Sequence, residues 1–152
     1  MADPLEILEK GVDILDPLLL SNGFLYVAGE SGPSSGGSYA CGAYIKEGRK
    51  LEIHVRHGLG LVTYHVGTDS LRHEVFMRAL LGRDGGNQYP SYSEDPIDAF
   101  LGLRHDLEKF GEDFLSGVGN TFRNCVEKAH AAQRLTPIER MEQRWPTLTE
   151  ET

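Results

Sequence analysis

The sequence predicts an α+β fold with an N-terminal helix, a four-stranded antiparallel β-meander and two to four C-terminal helices packed on one face of the sheet. Apolar residues recur every three or four positions near both ends of the chain, which is typical of helices. Between residues 24 and 66, short β-favouring segments are separated by Gly, Ser and charged turns. With 152 residues, of which 39% are hydrophobic, the chain can form one compact domain. We assign that domain to residues 1–146 and a flexible tail to residues 147–152.

The N-terminal helix begins after Asp3, because Asp3-Pro4 combines a capping side chain with a proline at the first helical position. Its apolar stripe consists of Leu5, Leu8, Val12 and Leu15. Gly11 is expected to weaken this helix. Asp16-Pro17 predicts a restart as a second short piece, and Asn22-Gly23 predicts its end, since this pair readily adopts the left-handed conformation.

Four strands are predicted over residues 24–30, 38–47, 50–57 and 61–66. Pairing Val55 with Val62 across a loop at residues 57–60 directs one apolar face toward the helices. The opposite face then carries Glu52, His54, Arg56, Leu61, Thr63 and His65. The register of strand 38–47 stays open by one residue, so that either Tyr44 or Ile45 lies on this second face.

The C-terminal part predicts helices over residues 70–81, from 96 to about 115, and after Thr121. In the first of these, a cap within residues 68–70 turns Leu71 and Phe76 inward and His73 outward. The second has an apolar stripe at Ile97, Phe100, Leu103, Leu107, Phe110 and Phe114. Its acidic residues are expected on a solvated surface: Asp98, Asp106, Glu108, Glu112 and Asp113.

Composition and charge narrow the functional classes. The chain carries 23 acidic and 15 basic residues and a net charge of −8, so that it repels a nucleic-acid backbone. No segment approaches the roughly 18 apolar residues of a membrane helix, and the N-terminus has acids where a secretory signal has bases. Cys41 and Cys125 are far apart in the sequence, as is typical of a reducing compartment. We therefore expect a cytoplasmic protein that binds neither nucleic acid nor a membrane.

The second face of the sheet predicts the sharpest chemical site. In the predicted register Glu52 lies directly across from His65, and His54 is two residues along from Glu52 on the same side. Two imidazoles and a carboxylate are ligands that a divalent metal accepts. Arg56 alongside could bind an anion, and protonation of the histidines would make the patch sensitive to pH. A wetted polar sheet face explains the same residues without any ligand.

Residues 82–95 form a long loop that predicts a recognition element, comprising Asn87, Gln88, Tyr89 and Tyr92. Tyrosines offer rigid apolar area with a polar tip, and the two amides supply donors and acceptors. The alternative is that the tyrosines fold back over the helices and close the core.

We predict a small, soluble, non-enzymatic protein-interaction domain without a cofactor, adaptor- or immunity-like, whose acidic surface binds a basic protein partner. The alternative function is a small-ligand or metal-assisted enzyme that uses the His/Glu/Arg cluster on the second sheet face. A third hypothesis is a homodimer through that face, with a contact surface that includes Leu61 and could be extended by Tyr39, Cys41 and Ile45. Many small bacterial proteins share such an organisation, so that fold alone assigns no function.

Overall fold

The computed structural model describes residues 3–34, 37–82, 85–90, 94–117 and 120–134. Its helices and strands are, in chain order, α1 (Pro4–Ser21), β1 (Leu25–Ser34), β2 (Gly37–Lys46), β3 (Arg49–Val55), β4 (Leu59–Val66), β5 (Asp69–Arg72), α2 (His73–Leu81), α3 (Pro96–Phe110), α4 (Glu112–Ser116) and α5 (Thr121–Arg134). The strands form one antiparallel sheet in the order β1-β2-β3-β4-β5. The predicted α+β meander is therefore confirmed, with five strands instead of four. The predicted tail at residues 147–152 lies outside the described residues.

The fifth strand replaces the start of the helix predicted over residues 70–81. Gly67, at φ +60°, and Thr68 form a two-residue turn that pairs Asp69 with Val66. A positive φ is accessible to glycine at little cost, and two-residue turns of this kind join antiparallel strands. The turn brings Leu71 beside Tyr64 on the buried face of the sheet. The helix therefore begins at His73, not near residue 70.

Helix α1 is continuous, so the predicted break at Asp16-Pro17 is wrong. An interior proline costs about 3 kcal/mol because it removes one backbone hydrogen bond. Leu15 and Leu19 flank it and are fully buried, and burying each contributes about 1.5–3 kcal/mol. The two burials offset the proline. The predicted end is confirmed, with Asn22 as the C-cap and Gly23 at φ +89°.

Two helical glycines allow close approaches. A Cβ atom on Gly11 of α1 would lie 2.2 Å from Cε1 of Phe100 in α3, so only glycine lets these two helices approach so closely. A Cβ atom on Gly102 would lie 2.9 Å from the backbone oxygen of Gln88. Gly102 therefore lets the segment before α3 run directly along that helix. From the sequence alone, Gly11 is expected only to weaken the helix, and its contact with Phe100 depends on how α1 and α3 pack.

The core lies between one face of the sheet and the helices. Its largest fully buried side chains are Tyr44, Tyr64, Tyr89, Phe24, Phe76, Phe100, Phe114, Leu8, Leu15, Leu19, Leu51 and Ile53. Phe114 stacks on Phe24 at 5.5 Å between ring centroids and meets Tyr64 edge-on at 4.9 Å. Among the helices of the described ranges, none is long and apolar enough to cross a membrane.

The register of β3 and β4 differs from the prediction by two residues. Val62 pairs with Ile53 instead of Val55, and Val55 pairs with Leu59 after an irregularity next to His54. Leu59, which the sequence predicts to lie in the loop, is buried and belongs to β4. A shift of two residues keeps every side chain on its own face. The predicted apolar face is therefore correct although the pairing is not.

Candidate functional site

The face of the sheet opposite the core, here called the open face, is built from two complete rows of paired residues. The Lys50 row runs across all five strands as Leu25, Ile45, Lys50, His65 and Ser70. The Glu52 row runs beside it as Val27, Ala43, Glu52, Thr63 and Arg72. Directly paired side chains point to the same side of a sheet. Both rows therefore present their side chains on one surface.

The β1 and β2 end of the open face is apolar. Leu25 is 70% exposed, Val27 50% and Ile45 42%, whereas Ala43 among them is nearly buried. Leu25 pairs with Ile45 and Val27 with Ala43, so the four side chains form a contiguous block. The structure also settles the ambiguity in strand 38–47, since Ile45 lies on the open face and Tyr44 lies in the core.

The β3 and β4 part of the open face gathers the three predicted metal ligands. The Glu52 carboxylate lies between two rings: Oε1 is 3.0 Å from Nε2 of His65, and Oε2 is 3.3 Å from Nε2 of His54. Glu52 pairs with Thr63, not with His65 as predicted, so its contact with His65 is diagonal. Partial burial by itself raises the pKa of Glu52, but the hydrogen bonds from His65 and His54 outweigh it and lower the pKa below its usual value.

Each imidazole donates to a different oxygen of the same carboxylate, which gives a bridged cluster of three side chains. Within the ranges that the structure describes, no group of three or more His, Cys, Asp or Glu side chains is arranged to hold a metal ion. The carboxylate is stabilised as an anion by its neighbours, and it links β3 to β4 through side chains.

Arg56 was predicted to lie beside these ligands, but it lies beyond the end of β3, in the turn before β4. Its guanidinium carbon is 5.9 Å from the centroid of the Tyr39 ring. It also lines a cleft of about 680 Å³ together with Asp3, His57 and Glu94. The lining of this cleft therefore combines the Arg56 guanidinium with the carboxylates of Asp3 and Glu94.

The predicted recognition loop is partly internal. Tyr89 is only 2% exposed, and its hydroxyl donates to the Leu59 carbonyl at 3.0 Å. Asn87 donates from Nδ2 to the carbonyl of Tyr89 at 2.6 Å, and the Gln88 side chain is exposed. Tyr92 lies outside the described residues. Tyr89 closes the core, as in the alternative interpretation, and it is not available as a contact residue.

A buried polar network, here called the Asp106 network, holds this loop in place and was missed by the sequence prediction. Asp106 and His73 are both 0% exposed, and His73 Nε2 lies 2.9 Å from Asp106 Oδ2. The Tyr64 hydroxyl lies 2.7 Å from His73 Nδ1. Both ring nitrogens of His73 are therefore hydrogen-bonded, Nε2 to the Asp106 carboxylate and Nδ1 to the Tyr64 hydroxyl.

Each oxygen of Asp106 accepts two hydrogen bonds. Oδ2 accepts from His73 and from the Tyr89 amide at 2.9 Å, and Oδ1 accepts from the Gln88 amide at 2.6 Å and from His105 Nδ1 at 3.0 Å. Burial by itself raises the pKa of this carboxyl, but these donors outweigh it and lower the pKa. Asp106 is therefore a buried, fully paired carboxylate that ties the segment at residues 88–89 to α2 and α3.

The acidic surface predicted for residues 96–115 loses two of its members. Asp106 is internal, and Asp113 accepts from the Thr121 amide at 2.7 Å, at the start of α5. Glu108 is exposed and pairs with Arg104 at 3.0 Å, as the i,i+4 spacing predicted. What remains on α3 is a mixed-charge surface around Leu101, which is 47% exposed.

No model of a protein family matches this chain, and no curated protein or solved structure matches it either.

Proposed function

We propose that this protein is a non-enzymatic protein-interaction domain whose docking surface is the open face of the sheet. The observation that supports the proposal is the contiguous exposure of Leu25, Val27 and Ile45 on that face. Singly exposed aliphatic residues are common on protein surfaces, but adjacent ones with a polar border are typical of interfaces. Lys50, Glu52 and Thr63 form that border here.

Burying the exposed aliphatic side chains of the open face against a partner is favourable in free energy. Full burial of an exposed large aliphatic side chain gains about 1.5–3 kcal/mol. Leu25, Val27 and Ile45 can gain the part that corresponds to their remaining exposure of 42–70%. Here the three side chains belong to two adjacent strands, so one flat partner surface can contact them together. The hydrogen bonds that His54 and His65 donate to Glu52 fix these polar side chains before binding, which reduces the entropy lost on association.

We also propose that the predicted acidic surface binds a partner, and we place it on the helices that pack against the other face of the sheet. Glu6, Glu9 and Asp13 of α1 are exposed there, and so is Glu108 of α3. We propose that they attract a partner with a basic surface, because complementary charges accelerate encounter. Binding that uses this surface should weaken as salt is added.

The proposed setting is the cytoplasm. Cys41 and Cys125 are both free thiols, and free thiols persist where the surroundings are reducing.

Affinity capture with matched variants tests the docking surface. Wild type, Val27→Lys and Leu101→Lys are each used as bait, and recovered proteins are quantified by mass spectrometry. Leu101→Lys is the control because it makes the same kind of change at an exposed position on a helix. We expect a partner recovered by wild type and Leu101→Lys but lost with Val27→Lys, while circular dichroism shows all three folded. A partner that all three baits recover equally would refute the sheet face as its docking surface.

The alternative function, a metal-assisted or small-ligand enzyme, would act through His54, His65 and Glu52, which contact one another on the open face. In the described part of the chain these side chains are not arranged to hold a metal ion, so a metal would have to replace the hydrogen bonds between them. This alternative predicts a rise in melting temperature with zinc, manganese or nickel that His54→Ala abolishes. Elemental analysis of protein purified without a histidine tag gives the stoichiometry. If no metal binds and no shift occurs, the metal-dependent version of this alternative is wrong.

A further inference from the structure

We infer that the open face is covered by the open face of a second copy of this chain, in a two-fold symmetric dimer. The inference rests on the proposed function, because it names the partner that docks on this surface. Two observations support the inference: the charges on the open face, and the order of side chains in the Lys50 row and the Glu52 row.

Among the described residues, the charges of the open face allow two copies to meet there without strong repulsion. Two chains of net charge −8 repel each other in general. On the open face, however, Lys50 is two residues from Glu52. Arg72 Nε lies 3.8 Å from Oε2 of Glu74, in the first turn of α2. These charges balance locally. The helical side instead presents exposed acids on α1, which disfavours self-association there.

The two rows are complementary to each other under two-fold symmetry. Consecutive rows on one face are separated by two residues, or about 6.8 Å along the strands. A two-fold axis between the rows and perpendicular to the strands places the Lys50 row of one copy on the Glu52 row of the other. Ile45 then faces Ala43 of the second copy, and Leu25 faces Val27 of the second copy.

The same operation pairs opposite charges. Lys50 of each copy faces Glu52 of the other, so that the dimer contains two equivalent ion pairs. The interface is isologous, because the same surface is used by both copies. Packed sheets cross at about 30°, so the match is best near the pivot at β2 and β3, where Ile45 and Lys50 lie.

The area of the open face determines how tightly the two copies are expected to bind. Five strands about 4.8 Å apart and about seven residues long give a footprint of roughly 500–600 Å². Stable interfaces bury about 800 Å² of accessible surface per partner, which is more than a flat footprint measures. The open face is therefore at the lower end of stable interfaces, and we expect a dimer that dissociates at micromolar concentration.

A pair of charge-reversed variants tests the arrangement. In Lys50→Glu alone, positions 50 and 52 are both acidic, and in Glu52→Lys alone both are basic, so either variant repels its own second copy. When the two variants are mixed, every 50–52 contact between the copies joins opposite charges. Analytical ultracentrifugation of the full chain measures the mass, from about 1 to about 200 μM, a range that brackets a micromolar dissociation constant.

We expect wild type to pass from monomer to dimer over this range, each single variant to stay monomeric, and the mixture to regain the dimer. Mixing the two variants alters no contact within either chain. Recovery of the dimer on mixing must therefore come from contacts between the two chains. A wild type that stays monomeric, singles that dimerise like wild type, or a mixture that stays monomeric would each overturn the inference.

The outcomes also separate this inference from the proposed function. If wild type is monomeric but a different protein is captured in a Val27-dependent way, the proposed function holds and the second copy is the wrong partner. If wild type is monomeric and capture does not depend on Val27, both fail.

Discussion

Replacing Asp106 by Asn should destabilise the protein strongly, although the two side chains have nearly the same shape. The carboxylate accepts two hydrogen bonds on each oxygen, whereas an amide has only one oxygen. Whichever way the amide is turned, its NH₂ group faces two donors. If its oxygen faces His73 and the Tyr89 amide, the hydrogen bonds from the Gln88 amide and from His105 are lost. If its oxygen faces Gln88 and His105, the bonds from His73 and from the Tyr89 amide are lost instead.

The magnitude follows from the number of bonds lost. Hydrogen bonds to charged groups contribute about 1.5–3 kcal/mol each, and breaking a buried pair costs about 3–5 kcal/mol. We expect the free energy of unfolding to fall by about 3–5 kcal/mol. For a chain of this size that corresponds to a melting temperature lower by roughly 10 °C.

Urea denaturation at neutral pH, followed by circular dichroism, measures this change. Glu108→Gln is the matched control, since it makes the same acid-to-amide change on the same helix. Glu108 is half exposed and pairs with Arg104 on the surface, so its loss should cost less than about 1 kcal/mol. If Asp106→Asn were within about 1 kcal/mol of wild type, the buried carboxylate would not be the anchor that its hydrogen bonds indicate.

Three further predictions concern the stability of the protein at low pH and two contacts that helix α1 makes. The folded-state pKa of Asp106 is lowered below its ordinary value of 3.8, so its contribution is fully present above that pH and is lost as pH falls through the lower folded pKa. Wild type should thus lose stability faster than Asp106→Asn in acid, and parallel urea midpoints against pH would contradict this. Gly11→Ala should destabilise by about 1–3 kcal/mol through overlap with Phe100; helix propensity alone predicts the opposite sign, which thermal denaturation can decide. Tyr44→Phe should cost about 1–2 kcal/mol in urea denaturation because it removes the 2.7 Å hydrogen bond to Asp16, and an unchanged midpoint would show that this bond contributes nothing net.

Periodicity was sufficient to predict most of the fold. The helical stripes and the alternating strands indicated the right elements, and a register error of two residues left the faces unchanged because side chains alternate with a period of two. The fifth strand was missed because Asp69–Arg72 is only four residues long. Its defining signal, the turn at Gly67 and Thr68, competed with a plausible helix cap in the same segment.

The charge of Asp106 predicts an exposed residue, whereas its spacing along α3 predicts a buried one. Asp106 lies three residues after Leu103 and four before Phe110, which places it on the apolar side of α3. His73 likewise shares a helical face with Phe76 and Met77. Spacing therefore contained a signal for both residues. The burial of Tyr89 had no local signal, since it depends on Gly102 and Asp106, which lie on an element that follows it in the chain.

In strand β3, residues that stabilise the fold alternate with residues that are available for binding. In β3 the odd-numbered residues Leu51, Ile53 and Val55 are fully buried, and the even-numbered Lys50, Glu52 and His54 lie on the open face. Substitutions at odd positions should therefore change abundance by unfolding the protein, while substitutions at even positions should leave abundance intact and change assembly. Selection can act on folding and on recognition separately within seven consecutive residues, and a scan of single substitutions along β3 would show the two effects at alternating positions.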